Sequence, residues 1–418
     1  MKIVLKQFLK NDIFKELRTL FTGTVIAQTI TIIALPILAK LFSPAQFGDF
    51  ALFFCIVNAF GYIAAGRFDA ALMLPKTEDN TKILVSIGII CCIGTSLIAA
   101  FIFLLTSNFT IFKGFQQVIN ANRFELPIAI FLVGFYTLLS SKYNRAKNYK
   151  KIAIARILQN VVVSIFSICF GLLTFGNKGL VFGFMLGQII SILILSEKRF
   201  ERIDISQTKD LIKEYRSFPL YSVPMVFLNT ISNNIMIFLL TLYVGASFVG
   251  FYSQAYKAIN YPLFIIASSV SPIFFQKISV SENKRTLFFI TFSVSIITGL
   301  CLLLPIVLWG EQIFAFVFGE QWRLSGRIAA KLFPMTVVGF AITNVCSIFS
   351  ATKSNLILLI WQIFYLGLSI ALIYTFRNGD KLQLISYFSW FSTLMFTILA
   401  GIIVIIVKKH IDYSPQNE

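Results

Sequence analysis

Apolar runs of about 18 residues or more recur from one end of this chain to the other, and that recurrence decides most of what it can fold into. A run of that length crosses roughly 30 Å of hydrocarbon at about 1.5 Å of helix rise per residue. In lipid the backbone must satisfy its own hydrogen bonds, so a spanning run is a helix or a strand of a closed barrel. The runs here are continuous and lack period-two alternation, which selects helices. Only 13% of the 418 residues are charged and 57% are hydrophobic, with a mean hydropathy of +0.82. A soluble domain needs roughly a quarter of its residues charged to cover its surface. The chain is therefore predicted to be an all-α integral membrane protein with about twelve transmembrane helices.

The predicted spans are 17–41, 47–73, 83–106, 124–141, 153–175, 179–196, 219–244, 249–275, 287–309, 327–350, 355–376 and 383–407. The net charge of +18 sits in short connections between them, the pattern of cytoplasmic membrane loops, and this excludes nucleic acid as a partner. With the N-terminus inside, inner segments hold 24 of the 36 basic residues. Nine lie in or beside outer loops: Lys40, Lys113, Arg123, Lys178, Arg323, Arg327, Lys331, Arg377 and Lys381. Three fall within spans: Arg67, Arg156 and Lys257. That asymmetry predicts a multi-pass membrane protein with both termini cytoplasmic and an even number of spans. The first twenty residues, with Lys2, Lys6, Lys10, Lys15 and Arg18, are amphipathic and carry no signal-peptide cleavage pattern. The six cysteines lie in apolar segments without metal or disulfide spacing, and the single histidine, His410, is placed in the C-terminal tail. No metal, no cofactor and no ATP-binding loop are predicted.

The halves resemble each other. Phe47-Gly48-Asp49-Phe50 follows span one, and Val249-Gly250-Phe251-Tyr252 follows span seven, 202 residues later. Gln159 to Lys178 matches Gln362 to Lys381 at an offset of 203. Six spans per half make this a parallel repeat, a transporter architecture. The predicted organisation is an N-terminal six-helix lobe over 1–196, a basic cytoplasmic linker over 197–217 and a C-terminal six-helix lobe over 218–418.

A polar side chain within a span is costly and usually faces a bundle interior or an aqueous cavity. Span one carries Thr24, Gln28 and Thr31 on one face, and span seven carries Asn229, Ser232 and Asn233 on one face. These stripes occupy corresponding helices and are predicted to line a shared cavity, against the alternative of plain helix–helix hydrogen bonding. Lys257, eight residues into span eight, is read as cavity-facing, whereas Arg156 lies near the inner surface and is read as snorkelling. Arg67 is either an anion ligand or an interfacial anchor. Asp69 is read as pairing with a cation on another helix, because residues two apart on a helix point in opposed directions; a proton-carrying role is the alternative. Glu311, Glu320 and Trp322 are predicted to form an interfacial loop with an aromatic anchor after span nine.

Several segments together resemble the Wzx-type O-antigen and polysaccharide flippases, members of a superfamily with the multidrug and toxin extrusion transporters and lipid II flippases. They are Leu41-Phe42-Ser43-Pro44 with Phe47-Gly48, Arg67-Phe68-Asp69 through Leu74-Pro75, Asn144-Arg145 with Lys147, Phe218-Pro219, Gly250-Phe251-Tyr252, and Phe318-Gly319-Glu320-Gln321-Trp322. Gly66 departs from the pattern, in which a leucine often precedes the arginine. The resemblance implies a non-enzymatic flippase of the cell inner (cytoplasmic) membrane that moves a polyprenyl-diphosphate-linked oligosaccharide across it by alternating access. Lys257 and Arg67 then become the expected diphosphate-neutralising cations, Gln28, Thr24, Thr31, Asn229 and Asn233 the sugar-contacting groups, and Asp69 a coupling or pairing residue. It implies the lipid-linked oligosaccharide and membrane lipids as partners, with a polysaccharide polymerase and chain-length proteins as candidate protein partners. A drug/cation antiporter of the same fold is the nearest alternative, and an acidic cavity would mark it. A membrane polysaccharide polymerase would need a large outer loop or catalytic domain, and neither is present in the sequence.

Overall fold

A computed structural model describes residues 12–106, 113–196, 205–280, 283–352 and 354–411. Lys2, Lys6 and Lys10 of the N-terminal segment and residues 197–204 of the basic linker lie outside these, as does the side chain of His410. The described residues contain no strand. The long helices are α1 (Asp12–Leu41), α2 (Pro44–Gly61), α4 (Glu78–Thr106), α6 (Glu125–Arg145), α7 (Tyr149–Leu172), α8 (Asn177–Leu195), α10 (Val223–Tyr243), α11 (Ala246–Val280), α12 (Lys284–Phe318), α13 (Arg323–Val345), α15 (Asn355–Phe376) and α16 (Lys381–Ile411). Shorter pieces are α3 (Phe68–Ala71), α5 (Lys113–Ala121), α9 (Ile205–Glu214) and α14 (Ile348–Ala351).

Eleven helices among the described residues are long and apolar enough to cross a membrane. The predicted second span, 47–73, is instead a broken helix: α2 stops at Gly61 and the chain re-enters a helix only at Phe68. The outward faces of the spanning helices expose leucine, isoleucine and phenylalanine, with Phe316 88% exposed. Water would penalise such faces by about 25 cal/mol per Å², whereas hydrocarbon leaves them unpenalised.

By packing, the chain forms two compact units, Met1–Ala246 and Ser247–Glu418. In the first, α7 packs on α1 and α8, α6 on α4, α2 and α8, and α10 on α2 and α5. Leu52, Phe53, Val57, Phe68, Leu84 and Ile130 form its core. In the second, α13 packs on α12 and α16, and α16 on α15. This division differs from the predicted lobes by one helix: α10, expected to head the C-terminal lobe, packs with the first unit.

Two further expectations require correction. Span nine continues through Phe318, so Glu311 sits inside a helix rather than in a loop. Trp322 is fully buried, edge-on against Phe251 with centroids 5.9 Å apart, and is not an interfacial anchor. Arg327 and Lys331, counted as lying in or beside an outer loop, fall inside α13. The reason is local: Gly319, at φ 106°, and the single 3₁₀ turn Glu320–Trp322 reverse the chain without any long connection.

Candidate functional site

Within the first unit, the most unusual backbone is the break between α2 and α3. The amides of Ile63, Ala64, Gly66 and Phe68 bond to carbonyls three residues back, at 3.3, 3.2, 2.8 and 3.1 Å. This tightened turn ends in two consecutive left-handed residues, Gly66 at φ 61° and Arg67 at φ 59°. Glycine takes that conformation without penalty, and arginine does not. The hydroxyl of Thr95 on α4 donates to the Ala64 carbonyl at 3.2 Å. Non-helical backbone at membrane depth persists only where protein or an aqueous cavity surrounds it. Here Ala64, Ala65 and Phe68 are all buried.

The break brings Arg67 and Asp69 together. Arg67 Nη1 lies 3.0 Å from Asp69 Oδ2, with Asp69 only 3% exposed. The expectation that these two could not face each other fails because Arg67 precedes α3 in a left-handed conformation, so helical spacing does not apply to it. The pairing partner of Asp69 is thus on its own segment, not another helix. Arg67 Nε and Asp69 Oδ1 have no hydrogen-bond partner among the described residues. A guanidinium offers five donors in a fork suited to two oxygens of a phosphate or carboxylate. The pair therefore retains donor and acceptor capacity that a ligand or a proton can take up.

A second polar seam joins α1 to α7. Arg156 Nη1 donates to Thr24 Oγ1 at 2.6 Å, and Thr31 Oγ1 donates to Asn160 Oδ1 at 2.9 Å. Arg156 thus engages a facing helix, which replaces the snorkelling expected of it. Gln28, between the two threonines, is half-buried. Tyr62, at the start of the break and 42% exposed, is within electrostatic reach of Arg156 and of Tyr136 on α6. Tyr62 thus couples the start of the break electrostatically to the seam's Arg156. Hydropathy could not reveal this, although Arg156 and Asn160 stand one helical turn apart in an apolar run, which is a readable signal.

The α10 residues form their own stripe. Asn233 Nδ2 donates to Asn229 Oδ1 at 3.3 Å, and Asn233 is exposed. Cys55 Sγ on α2 approaches Asn234 Oδ1 at 3.3 Å. Lys257 belongs to the second unit, on α11, and is half-buried. Three residues before it, Gln254 is fully buried with neither amide atom hydrogen-bonded among the described residues. Sequence reading missed Gln254, and its spacing from Lys257 puts both on one helix face.

Two pairs of motif segments are fastened to each other. Arg145 Nη1 and Nη2 donate to the carbonyls of Leu72 and Pro75 at 2.6 and 2.5 Å, so the basic end of α6 holds the chain leaving the break. In the second unit Ser325 Oγ donates to the Phe251 carbonyl at 3.0 Å, beside the Phe251–Trp322 contact. Segments far apart in sequence thus meet in each unit.

A family model described as polysaccharide biosynthesis protein matches residues 37–326. The chain is 22% identical over 326 residues to the succinoglycan biosynthesis transport protein ExoT of Rhizobium meliloti (strain 1021), covering 74% of this chain. The match spans 63% of that relative's length, under two thirds of it. Among solved structures the fold resembles a lipid II flippase, MurJ, in an inward closed conformation, with a TM-score of 0.71 at 15% identity over 95% of this chain and 94% of that one. It also resembles an outward-facing multidrug resistance MATE family transporter of the MOP superfamily, with a TM-score of 0.59 at 15% identity over 98% of this chain and 99% of that one.

Proposed function

The chain belongs to the polysaccharide biosynthesis protein family, and from that premise we propose that it is a flippase for a polyprenyl-diphosphate-linked oligosaccharide, of O-antigen or capsule type, in the cytoplasmic membrane. The observation that carries the reading is the buried Arg67–Asp69 pair in a broken helix, with the Arg156–Thr24 seam in the same unit. Carrying sugar hydroxyls and a diphosphate through hydrocarbon unaided forfeits hydrogen bonds and hydration at several kcal/mol per group. Hydroxyl and amide groups on α1, α7 and α10 offer replacement hydrogen bonds for the sugar. Arg67, and separately Lys257 in the second unit, offer positive charge for the diphosphate. The polyprenol stays in lipid throughout, so the protein needs to shelter only the polar head.

In this reading Asp69 neutralises Arg67 when no cargo is present, and the diphosphate takes its place when cargo arrives. The names of the similar proteins support the class of cargo: one is a succinoglycan transport protein and one a lipid II flippase. The balance of charge at the break and the seam supports an anionic cargo over a cationic drug, since Arg67 and Arg156 outnumber Asp69 there. The test is reconstitution of the chain in proteoliposomes carrying a fluorescent polyprenyl-diphosphate oligosaccharide. Cargo should become accessible to an external reagent faster than in protein-free vesicles. Equal rates with and without protein, together with efflux of a cationic dye, would replace this reading with drug extrusion.

A further inference from the structure

The second unit contains a polar pocket that takes no part in the reading above. It lies between α12 and α13, has a volume of about 350 Å³, and is lined by Val307, Leu308, Glu311, Arg327, Ala330 and Lys331. The two helices touch at Gly310 and Gly326, where a Cβ on Gly326 would come within 2.2 Å of the Gly310 carbonyl oxygen. Side-chain-free contact on one edge leaves room on the other, where a kink at Trp309 (φ −129°) opens α12 one turn after Pro305. Arg327 holds Glu311 in a two-point ion pair, Nε to Oε1 at 2.7 Å and Nη2 to Oε2 at 3.1 Å. Lys331, one turn further along α13, donates to Ser386 Oγ on α16 at 2.9 Å. The side chains sum to one positive charge: two cations against one carboxylate.

Depth restricts what can neutralise that charge. The 35 residues of α12, kinked at Trp309, trace about 52 Å of helix in all, more than the roughly 30 Å of hydrocarbon a span must cross. Glu311 is seven residues from the Phe318 end, about 10 Å at helical rise, so the pocket sits near one end of α12, the part of a spanning helix that meets headgroups. Leu308 and Trp309 are exposed beside it, so an accessible charged pair, Arg327 and Glu311, stands next to exposed apolar surface. Arg327 and Lys331 are also two of the nine basic residues assigned by the charge asymmetry to positions in or beside outer loops.

We propose that this pocket binds a phosphate ester, the headgroup of an anionic lipid, with its phosphate bridging Arg327 and Lys331 and its acyl chains lying along the apolar face of α12. The phosphate displaces Glu311 from Arg327, so the carboxylate competes with the ligand for one guanidinium. Free inorganic phosphate presents the same oxygens without the chains.

The experiment follows thermal unfolding of the purified full chain in detergent during titration with short-chain phosphatidylglycerol, diacylglycerol of equal chain length, or inorganic phosphate. Phosphatidylglycerol should raise the unfolding temperature saturably and diacylglycerol should not. Arg327→Gln and Lys331→Gln should each weaken the lipid by about tenfold, as expected for one charge-assisted contact, whereas Arg327→Lys should retain part of the affinity. Glu311→Gln should tighten binding severalfold, because it frees the guanidinium. Inorganic phosphate binding as tightly as the lipid supports the phosphate site and assigns the source to free phosphate. Equal responses to phosphatidylglycerol and diacylglycerol, or weaker binding in Glu311→Gln, would overturn the proposal. Flipping measured on the same variants separates the two readings, since loss of lipid binding with flipping intact leaves the transport proposal standing.

Discussion

Arg67 and Asp69, two residues apart in sequence, hold a 3.0 Å ion pair because the chain between them has left the helix. Gly66 and Arg67 both take left-handed backbone angles, and the turn they make points the guanidinium back across the first residues of α3. A charged pair in a spanning segment persists only when each member compensates the other or serves the cargo.

Breaking that pair should leave one charge buried and uncompensated. Arg67→Gln and Asp69→Asn are each expected to lower the unfolding temperature in detergent. The double variant should recover part of the loss, giving a coupling of roughly 0.5–3 kcal/mol in a double-mutant cycle. Flipping should fall in both single variants and stay low in the double one. Additive stability effects would show that the two groups do not depend on each other in the working protein.

Gly66→Ala tests the backbone directly. A Cβ there would meet the Phe68 ring at 3.2 Å and Cys91 Sγ at 3.4 Å while the residue holds φ 61°. The left-handed conformation alone costs a non-glycine residue roughly 1–2 kcal/mol. Lower stability with reduced flipping is expected, and a neutral outcome would show that the segment can rewind into a continuous helix.

How much of this was legible beforehand depends on the kind of interaction. The long apolar runs predicted most of the spanning helices, because burial in lipid is a local property of composition. The break at residues 62–67 was not legible, since Ile63-Ala64-Ala65 suits a helix and the turn is held by Thr95, on another element. The Arg156–Thr24 bond joins residues 132 apart, and no periodicity encodes such a contact. Glu311 looked like loop because it carries charge, yet Arg327 pairs with it inside the helix pair.

Arg145 should govern the order of the segment that leaves the break. Its two bonds, to Leu72 and Pro75 carbonyls, need a planar fork, so Arg145→Lys keeps the charge but only one bond. A hydrogen bond to a charged group contributes roughly 1.5–3 kcal/mol. Hydrogen exchange should therefore quicken at residues 72–76, and trypsin should cut more readily after the exposed Lys76. Unchanged exchange would mean that packing alone holds the segment.

Water access distinguishes cargo-facing positions from packing ones. The native cysteines include exposed Cys169 and Cys301, so labelling must start from a cysteine-free chain. Asn233→Cys, at an exposed position, is expected to react readily with a charged thiol reagent, and Thr24→Cys more slowly because its site faces Arg156. Adding lipid-linked oligosaccharide should protect Asn233→Cys. Reaction at neither position would reduce both stripes to helix–helix packing.

Lys257 gives the sharpest test in the second unit. It stands eleven residues after Ala246, about 16 Å along α11, where a lysine stem extends only part of the way to headgroups. Keeping an ammonium at mid-helix costs roughly 2.5–3.5 kcal/mol on insertion scales, which a charged cargo would offset. Lys257→Met is expected to lower flipping of a diphosphate-linked cargo at least about tenfold at equal protein level, the effect of one lost charge-assisted contact. Lys257→Arg should preserve part of the activity, because positive charge is what the diphosphate requires. Full flipping by Lys257→Met would remove this residue from the mechanism and leave Arg67 as the cation to which the cargo's charge must be assigned.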